Sequence, residues 1–426
     1  MRLESWTSLP RSQVQDYRHY YWTDEDPFRN AGSTLLARGN GQSYGDVCLP
    51  CQQAVVCTPL DRILAFDRTS GRVRVESGIK LSELLAVTVP AGWTLPVIPG
   101  SGAVTVGGAI ANDVHGKNHH WAGTFGCWIE RIELVRSDGR YLCTPEEHPE
   151  LFRATIGGLG LTGIITWAEL QLVRCSSAWL TVERFPFATL DEFFCLSEQV
   201  EEHGNYVVGW CDVSTPGKYR GIVSVARFCD DGDFSTPPRH VPLSLPPMPV
   251  SVFTRTTVQL TSALYYSTMR RRVRQRMHYT DVFFPLGRLP WNRLFGRRGF
   301  FQLHAVVPRA LEREATHAIC SRLWRAKVPL PLCVLKRFGA RPSPGLLSFP
   351  IEGTSIAVDL PNHSRSVQAL DEIITMVASV GGRIYPAKDA HMASHHFQQM
   401  FPQWHQVERL RDPRCCSQFW RRVTSS

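Results

Sequence analysis

Residues 97–125, VIPGSGAVTVGGAIANDVHGKNHHWAGTF, constrain this chain more than any other stretch. The stretch holds six glycines and a run of small residues, with Asp113, His115 and Lys117 following the first four glycines. Glycine accepts positive φ and lets a backbone approach a ligand closely. Successive amides in such turns form a concave nest for an anion, above all a pyrophosphate. A cradle followed by proton-handling groups predicts a bound dinucleotide beside a reaction centre. A second glycine loop, ARGNGQSYGD, precedes it at residues 37–46, and a third, GGLGLTG, follows at 157–163. In the third, Gly158, Gly160 and Gly163 satisfy G-x-G-x-x-G, but a Rossmann unit needs a strand before these glycines and a helix after them. Here residues 149–156 read as a short helix stopped by Gly157, and 164–173 as the strand that follows. The order is reversed, which rules against Rossmann. A lone glycine loop usually marks a turn. Three of them, one running into a His/Lys cluster, predict a cofactor held by loops on a different scaffold.

The rest of the first 175 residues alternates short strands and helices, an α+β pattern. Residues 54–58, 62–67 and 72–77 read as strands; in the last, Val73 and Val75 alternate with Arg72, Arg74 and Glu76, the period of a half-buried strand. Residues 80–89 read as a helix stopped near Pro90 and Gly92, and 129–136 with 140–144 as a hairpin around Ser-Asp-Gly. From about 177 to 381 the elements lengthen. Strand candidates are 206–212, 221–228, 300–307 and 354–360. Residues 367–380 form an amphipathic helix, with Val367, Leu370, Ile374 and Val377 on one face and Gly381 as its stop. The closing GGRIYPAKDAHM adds a short strand and a polar cluster of Tyr385, Lys388 and Asp389. A second domain inserted before this segment would return that cluster to the cofactor.

The formal net charge of +9 favours anionic partners. Residues 269–277, MRRRVRQRM, hold five arginines and read as a solvated helix. Just upstream, residues 235–253 are too rich in proline for regular structure and offer apolar side chains. Together they suggest an interfacial contact with anionic lipid. No recognised nucleic-acid motif accompanies the charge, so nucleic acid is not an expected partner. No apolar run reaches the roughly 18 residues that span a bilayer, and the first residues lack a signal peptide's apolar core. A cytoplasmic, peripherally membrane-associated protein is expected. Thirteen cysteines, with no second C-x-x-C pair after Cys48 and Cys51, argue for reduced, mostly buried thiols and no metal.

The segments RGNGQSYGD, VTVGGAIANDVHGKNHHWAGTFG, GGLGLTGII and GGRIYPAKDA keep one order from about residue 30 onward. They resemble the vanillyl-alcohol-oxidase-like FAD-linked oxidases, and within them the decaprenylphosphoryl-β-D-ribose 2-oxidase group. The resemblance implies an α+β, two-domain FAD-binding fold of the PCMH type. Residues 1–176 and 383–426 would form the FAD-binding domain, and 177–382 a substrate domain on an antiparallel sheet. FAD would be held by Arg38, Gly39, Asn40, Gly41, Gln42, Ser43, Tyr44 and Gly45 of the first loop. Gly100, Thr105, Val106, Gly107, Gly108, Asn112 and His115 would add the second, Gly160, Gly163 and Ile164 the third, and Tyr385 the closing segment. His115 and Lys388 match catalytic positions. Tyr44, Lys117, Trp210, Phe283, Gln302, His304, Lys336, Ala357 and Lys388 match positions lining the substrate pocket.

Three positions depart from the pattern: Phe283 replaces a tyrosine, His304 a glutamine, and Ala357 a cysteine of mycobacterial members. These changes leave the sugar and its carrier open. His119 and His120 read equally as surface, supporting or catalytic residues. Trp210 and Lys336 also have plain structural readings, as a core tryptophan and a charge at a strand end.

The implied activity is FAD-dependent oxidation of the C2 hydroxyl of a polyprenyl-phosphoryl pentose to the 2-keto sugar. That is the first half of an epimerisation giving an arabinose donor, with a keto-sugar reductase as partner. A soluble sugar or alditol oxidase using oxygen is the alternative within the superfamily. A flavin-binding scaffold without turnover, or a nucleic-acid-binding protein using the basic patch, stands outside it. FAD is expected without a covalent link. Relatives that attach it use a histidine where Gln42 stands, or a cysteine of the second loop, and residues 97–120 hold no cysteine. The sequence leaves open whether His115 or Lys388 takes the hydroxyl proton.

Overall fold

The computed structural model describes residues 3–10, 16–29, 32–201, 204–215, 217, 219–236, 245–246, 248–271, 273–287 and 289–425. Its first part carries two sheets. β1 (Asp16–His19), β2 (Leu35–Arg38) and β3 (Gln53–Val56) run parallel in the order β1-β3-β2. β4 (Ile63–Asp67), β5 (Arg72–Glu76), β7 (Ile129–Arg136), β8 (Gly139–Cys143) and β9 (Ile164–Gln171) form an antiparallel sheet ordered β4-β5-β9-β7-β8. A short pair, β6 (Trp93–Thr94) with β10 (Val173–Arg174), flanks it.

The sequence reasons for these elements are local. In β5, Val73 and Val75 are buried while Arg72 stays exposed. α1 (Leu81–Thr88) buries Leu81, Leu84, Leu85 and Thr88, one face of a 3.6-residue period. It gives way to a 3-10 turn containing Pro90 and closed by Gly92 at φ +80°. α2 (Val106–Ala111) starts at Thr105, whose side chain accepts from the Gly108 amide. Two short helices complete this part, α3 (His119–Ala122) and α4 (Pro149–Thr155), the latter opening on its proline.

The second part is built on eight strands: β11 (Trp179–Phe187), β12 (Tyr206–Cys211), β13 (Gly221–Phe228), β14 (Arg274–His278), β15 (Phe300–Pro308), β16 (Cys333–Phe338), β17 (Gly353–Pro361) and β18 (Arg383–Ile384). Their order is β14-β11-β13-β12-β16-β17-β15-β18, antiparallel throughout. α5 (Leu190–Val200), α8 (Glu312–Arg325) and α9 (Ser364–Ser379) pack on one face. Leu303, Ala305 and Val307 of β15, Cys333 and Leu335 of β16, and Ile356, Val358 and Leu360 of β17 enter the core beneath them. The period of two in a strand then turns Gln302, His304, Lys336, Ser355, Ala357 and Asp359 to the opposite face. That face is where the functional groups collect.

α6 (Arg255–Met269) and the short α7 (Tyr279–Phe283) lie between β13 and β15 in the chain. The chain returns through β18, the edge strand beside β15, to α10 (Ser394–Met400), α11 (Trp404–Leu410) and α12 (Gln418–Thr424). Phe397, Phe419 and Trp420 join the same core as α5, α8 and α9. Arg422 of α12 then bonds Asp46 of the first glycine loop and Asp389 of the closing segment.

The arginine-rich stretch is not the helix its composition suggests. α6 stops at Met269, and Arg274–His278 is an edge strand paired with β11. The pairing with β11 decides it. Arg274 and Arg276 stay exposed on one face, where Arg276 bonds Asp231 and Asp233 and lies over Trp179, while Gln275 and Met277 of the other face meet Arg184. Arg272, and residues 237–244 and 247 of the proline-rich segment, lie outside the described residues; the rest of residues 235–253 forms no helix or strand. Of the thirteen cysteines only Cys195 is exposed. Among the described residues no helix is long and apolar enough to cross a membrane.

Candidate active site

Three chain segments meet on the polar face of the eight-stranded sheet. The first glycine loop is tied to the closing segment by the Tyr44 amide, which donates to Ala387 O at 2.9 Å. At Gly45 even a methyl group would lie 1.5 Å from Asp389 O, so only glycine permits this approach. The first and second loops interlock: Asn40 Nδ2 donates to Ala103 O (3.0 Å), Ser101 Oγ to Gln42 Oε1 (3.2 Å), and Gly39 sits against Thr105. Tyr385 closes the triangle. Its hydroxyl donates to Asn112 O (2.9 Å) and its amide to His304 O (2.9 Å).

The loop carrying His115 is fixed from behind. Asp113, at φ +39°, accepts from Ser343, Ser348 and the Gly126 amide. His115 bridges Thr124, and Asn118 Nδ2 holds Pro96 O at 2.7 Å. The His115 ring stands 5.1 Å from His304, 4.7 Å from Phe338 and 5.7 Å from Tyr385, centroid to centroid. This apolar packing, with Lys336 nearby, pushes the imidazole well below its usual pKa, so it is neutral at pH 7. Its Nδ1 has no partner. His304 is depressed likewise by burial and by Lys336 and Lys388; its Nε2 lies 3.1 Å from Ser355 Oγ.

Three lysines share this space. Lys388 Nζ lies 3.2 Å from the centroid of the Tyr44 ring. Burial lowers its pKa to about 7, against the pull of Asp359. Burial also lowers Lys117 to about 7, helped by Lys336, and Lys336 itself to about 8. Lys117 Nζ donates to Val282 O, which ties α7 to the site. Asp359 accepts from Gln302 Nε2 (2.6 Å) and Trp291 Nε1 (2.8 Å), and burial raises it to about 6.

Asp359 is the functional group that sequence reasoning missed. The signal was present: a carboxylate two residues after Ala357, alternating with Val358 and Leu360 in an apolar strand. Trp6 was missed too; its ring lies tilted 4.7 Å from that of Tyr44, and it comes from a segment without sequence signature. Trp210 lies on the same sheet face, in a register row running Trp210, Val334, Ala357, His304 across four strands.

Some expected contacts fall elsewhere. Phe283 is not on the pocket wall; lacking a hydroxyl to solvate, its ring is fully buried against Tyr206 and Phe228. The Arg38 guanidinium turns inward to Cys48 O (2.8 Å) and Glu4 O (2.6 Å), leaving its backbone to the loop. Ile164 is buried with Val135, and a Cβ at Gly163 would lie 2.6 Å from Val135 O, so both face β7. Val106 is a core residue. The amides of Gly107 and Gly108 are engaged by Ser77 O and Thr105 Oγ1, so these glycines supply clearance. His119 is buried, its ring 4.4 Å from Phe338, and burial lowers its pKa to about 3; it is a neutral supporting group.

Where the glycine loops meet the polar sheet face, residues 39–44, 99–101, 103–104, 107–108, 111–112 and 160 and Lys117, Gln302, Lys336, Ala357 and Lys388 keep partial exposure. In the same loops and strands Asn112 Oδ1, Ser77 Oγ and the Nδ1 atoms of His115 and His304 are buried without partners. Buried polar atoms in native proteins are otherwise satisfied. Glycine-rich loops with unpaired polar atoms among them suit a dinucleotide cofactor.

Fold and site are those of an FAD-dependent oxidoreductase. A family model described as an FAD binding domain matches residues 28–144. The chain is 33% identical over 404 residues to the decaprenylphosphoryl-β-D-ribose oxidase of Mycolicibacterium smegmatis, covering 90% of this chain and 87% of that one. The chain belongs to that oxidase family. An uncharacterised protein of Streptomyces coelicolor is 30% identical over 76% of this chain and 92% of its own length. The D-arabinono-1,4-lactone oxidase of Yarrowia lipolytica is 29% identical over 40% of this chain and 34% of its own. FAD is the cofactor.

The Gln42 carboxamide, bonded to Ser101 and to Asn40 O, cannot form a histidyl–flavin bond. Acid precipitation is expected to release all yellow colour into the supernatant; a yellow pellet would show a covalent link.

Proposed function

We propose that this enzyme oxidises the C2 hydroxyl of a polyprenyl-phosphoryl pentose to a ketone. The step would be the first half of an epimerisation that a separate keto-sugar reductase completes. The observation carrying this reading is the convergence of Lys117, Lys336 and Lys388 on one cleft, their ammonium forms destabilised by burial. A phosphate entering beside Lys117 and Lys336 restores their charged forms and leaves Lys388 to serve as base, so the site favours a phosphorylated substrate over a neutral sugar. The name of the relative, an oxidase of decaprenylphosphoryl-ribose, supports the same substrate class.

FAD, when bound, supplies the acceptor for the hydride leaving C2. The chain must take the hydroxyl proton. Lys388 is suited to this because a general base works best with a pKa near the operating pH, and its own lies at about 7. His115, neutral and with a free ring nitrogen, orients the hydroxyl by hydrogen bonding. Lys336, charged below about pH 8, binds the phosphate.

The signs follow. The base must be deprotonated, so kcat/KM rises with pH through about 7; the phosphate site must be protonated, so it falls above about 8. On a sugar without phosphate the alkaline limb disappears. Asp359 favours the Lys388 cation, so Asp359→Asn moves the acid limb to lower pH. An unmoved limb would show that Asp359 only shapes the pocket. A profile that simply falls above pH 7 would make Lys388 a fixed charge and His115 the base.

The regiochemistry has its own test. Substrate deuterated at C2 should reduce the flavin more slowly, and borodeuteride trapping should place label at C2 of the product. Label at another carbon would overturn the assignment.

A further inference from the structure

Between Ser235 and Gly299 the sequence holds eleven arginines and one acid, Asp281. That single stretch accounts for the whole of the chain's formal charge of +9. The same stretch exposes apolar side chains. Leu260 and Leu264 of α6 are 66% and 69% exposed, and Val250 is 72% exposed, with Val273 and Leu289 also open. Neighbouring large apolar side chains left open on one helix face, as Leu260 and Leu264 are, mark an interaction site.

α6 is held by its other side. Val258 and Ser262 are buried, Tyr265 packs 4.7 Å from Trp210, and Arg220 stacks on Tyr266. Leu260 and Leu264 are one turn apart and about 200° around the helix from Val258 and Ser262, so they point away from the protein. Arg255 and Arg270 stand at the two ends of the helix, and Arg271 follows directly; all are exposed. No acidic residue occurs in α6. An apolar stripe flanked by cations is the pattern that seats in the headgroup region of an anionic membrane.

We propose that the outer face of α6, with Arg270 and Arg271 at its C-terminal end, docks on an anionic lipid surface. The helix is placed for this. Its inner face covers Trp210, three strands from His304, about 14 Å at the usual strand spacing. Docking therefore sets the cleft beside the bilayer. The proposal goes beyond the substrate assignment and does not depend on it, because vesicle binding is measured without turnover.

The test is co-sedimentation of the FAD-loaded full chain with phosphatidylcholine vesicles, with and without phosphatidylglycerol. Binding should require phosphatidylglycerol and weaken with salt. Both Leu260→Ser/Leu264→Ser and Arg270→Gln/Arg271→Gln should lower it about tenfold or more, with flavin spectrum and anaerobic reduction unchanged. Equal binding to neutral vesicles, or none to either, overturns the proposal. So does a leucine variant whose only change is loss of self-association, which would make the face a contact between copies. Salt-sensitive retention on DNA, lost in the arginine variant alone and stronger than vesicle binding, would assign the face to nucleic acid and equally overturn it.

Discussion

Lys388→Ala is expected to retain FAD and to lose about 10²-fold or more in the rate of anaerobic flavin reduction, the scale of a general base. That is about 2.7 kcal/mol of barrier. The reason is the absence of a substitute. His115 and His304 are held well below their usual pKa by burial, and Lys336, at about 8, carries the charge that the phosphate needs. Lys388→Arg should fail as well and should not recover at high pH, since a guanidinium stays protonated. His115→Ala should lose a similar factor while leaving the acid limb of the pH profile at about 7, because the titrating group remains. Near-normal reduction in both alanine variants would remove the pair from the mechanism.

Arg422→Ala is expected to destabilise the fold by about 3–5 kcal/mol, the range for leaving a buried charge without its partner. Arg422 Nη2 lies 2.7 Å from Asp46 Oδ1 and 2.9 Å from Asp389 Oδ2, and Nε lies 2.9 Å from Asp46 Oδ2. Both carboxylates are nearly inaccessible. Burial already raises the Asp46 pKa even though the guanidinium pulls it down, so the variant raises it further. A carboxyl whose folded pKa exceeds its unfolded value costs stability above that value, and the cost shrinks as pH falls and it protonates. The gap in melting temperature between variant and wild type should therefore be several degrees at neutral pH and narrow toward pH 4.5. FAD should leak on gel filtration, because Asp46 and Asp389 flank Tyr44 and Lys388. A gap that widens on acidification would contradict this account.

Much of the site was legible because glycine and alternation are local signals. The three loops, the hairpin of β7 and β8, and the amphipathic residues of α9 follow from spacing alone. The return of Tyr385 and Lys388 was legible as a polar cluster after a helix stop. What spacing does not carry is which strands become neighbours. The order β12-β16-β17-β15 sets Trp210, Val334, Ala357 and His304 side by side, although they span almost a hundred and fifty residues. Asp359 becomes a partner of Gln302 through that order only. The arginine run misled because its partners are distant in sequence: residues 274–278 pair with β11, Arg274 meets Glu183, and Arg276 bonds Asp231 and Asp233. Phe283 misled because a residue matched to a pocket position has no polar atom to keep it there.

The most direct test of the central claim is anaerobic mixing of the FAD-loaded enzyme with a polyprenyl-phosphoryl ribose, free ribose, arabinose and xylitol, following the flavin's visible absorbance. The lipid-phosphoryl furanose is predicted to bleach the flavin about 10²-fold more efficiently than any free sugar, the worth of a charged hydrogen-bonded contact that they lack. Faster bleaching by a free alditol, with hydrogen peroxide formed when air is admitted, would contradict the account and identify a soluble oxygen-using oxidase instead.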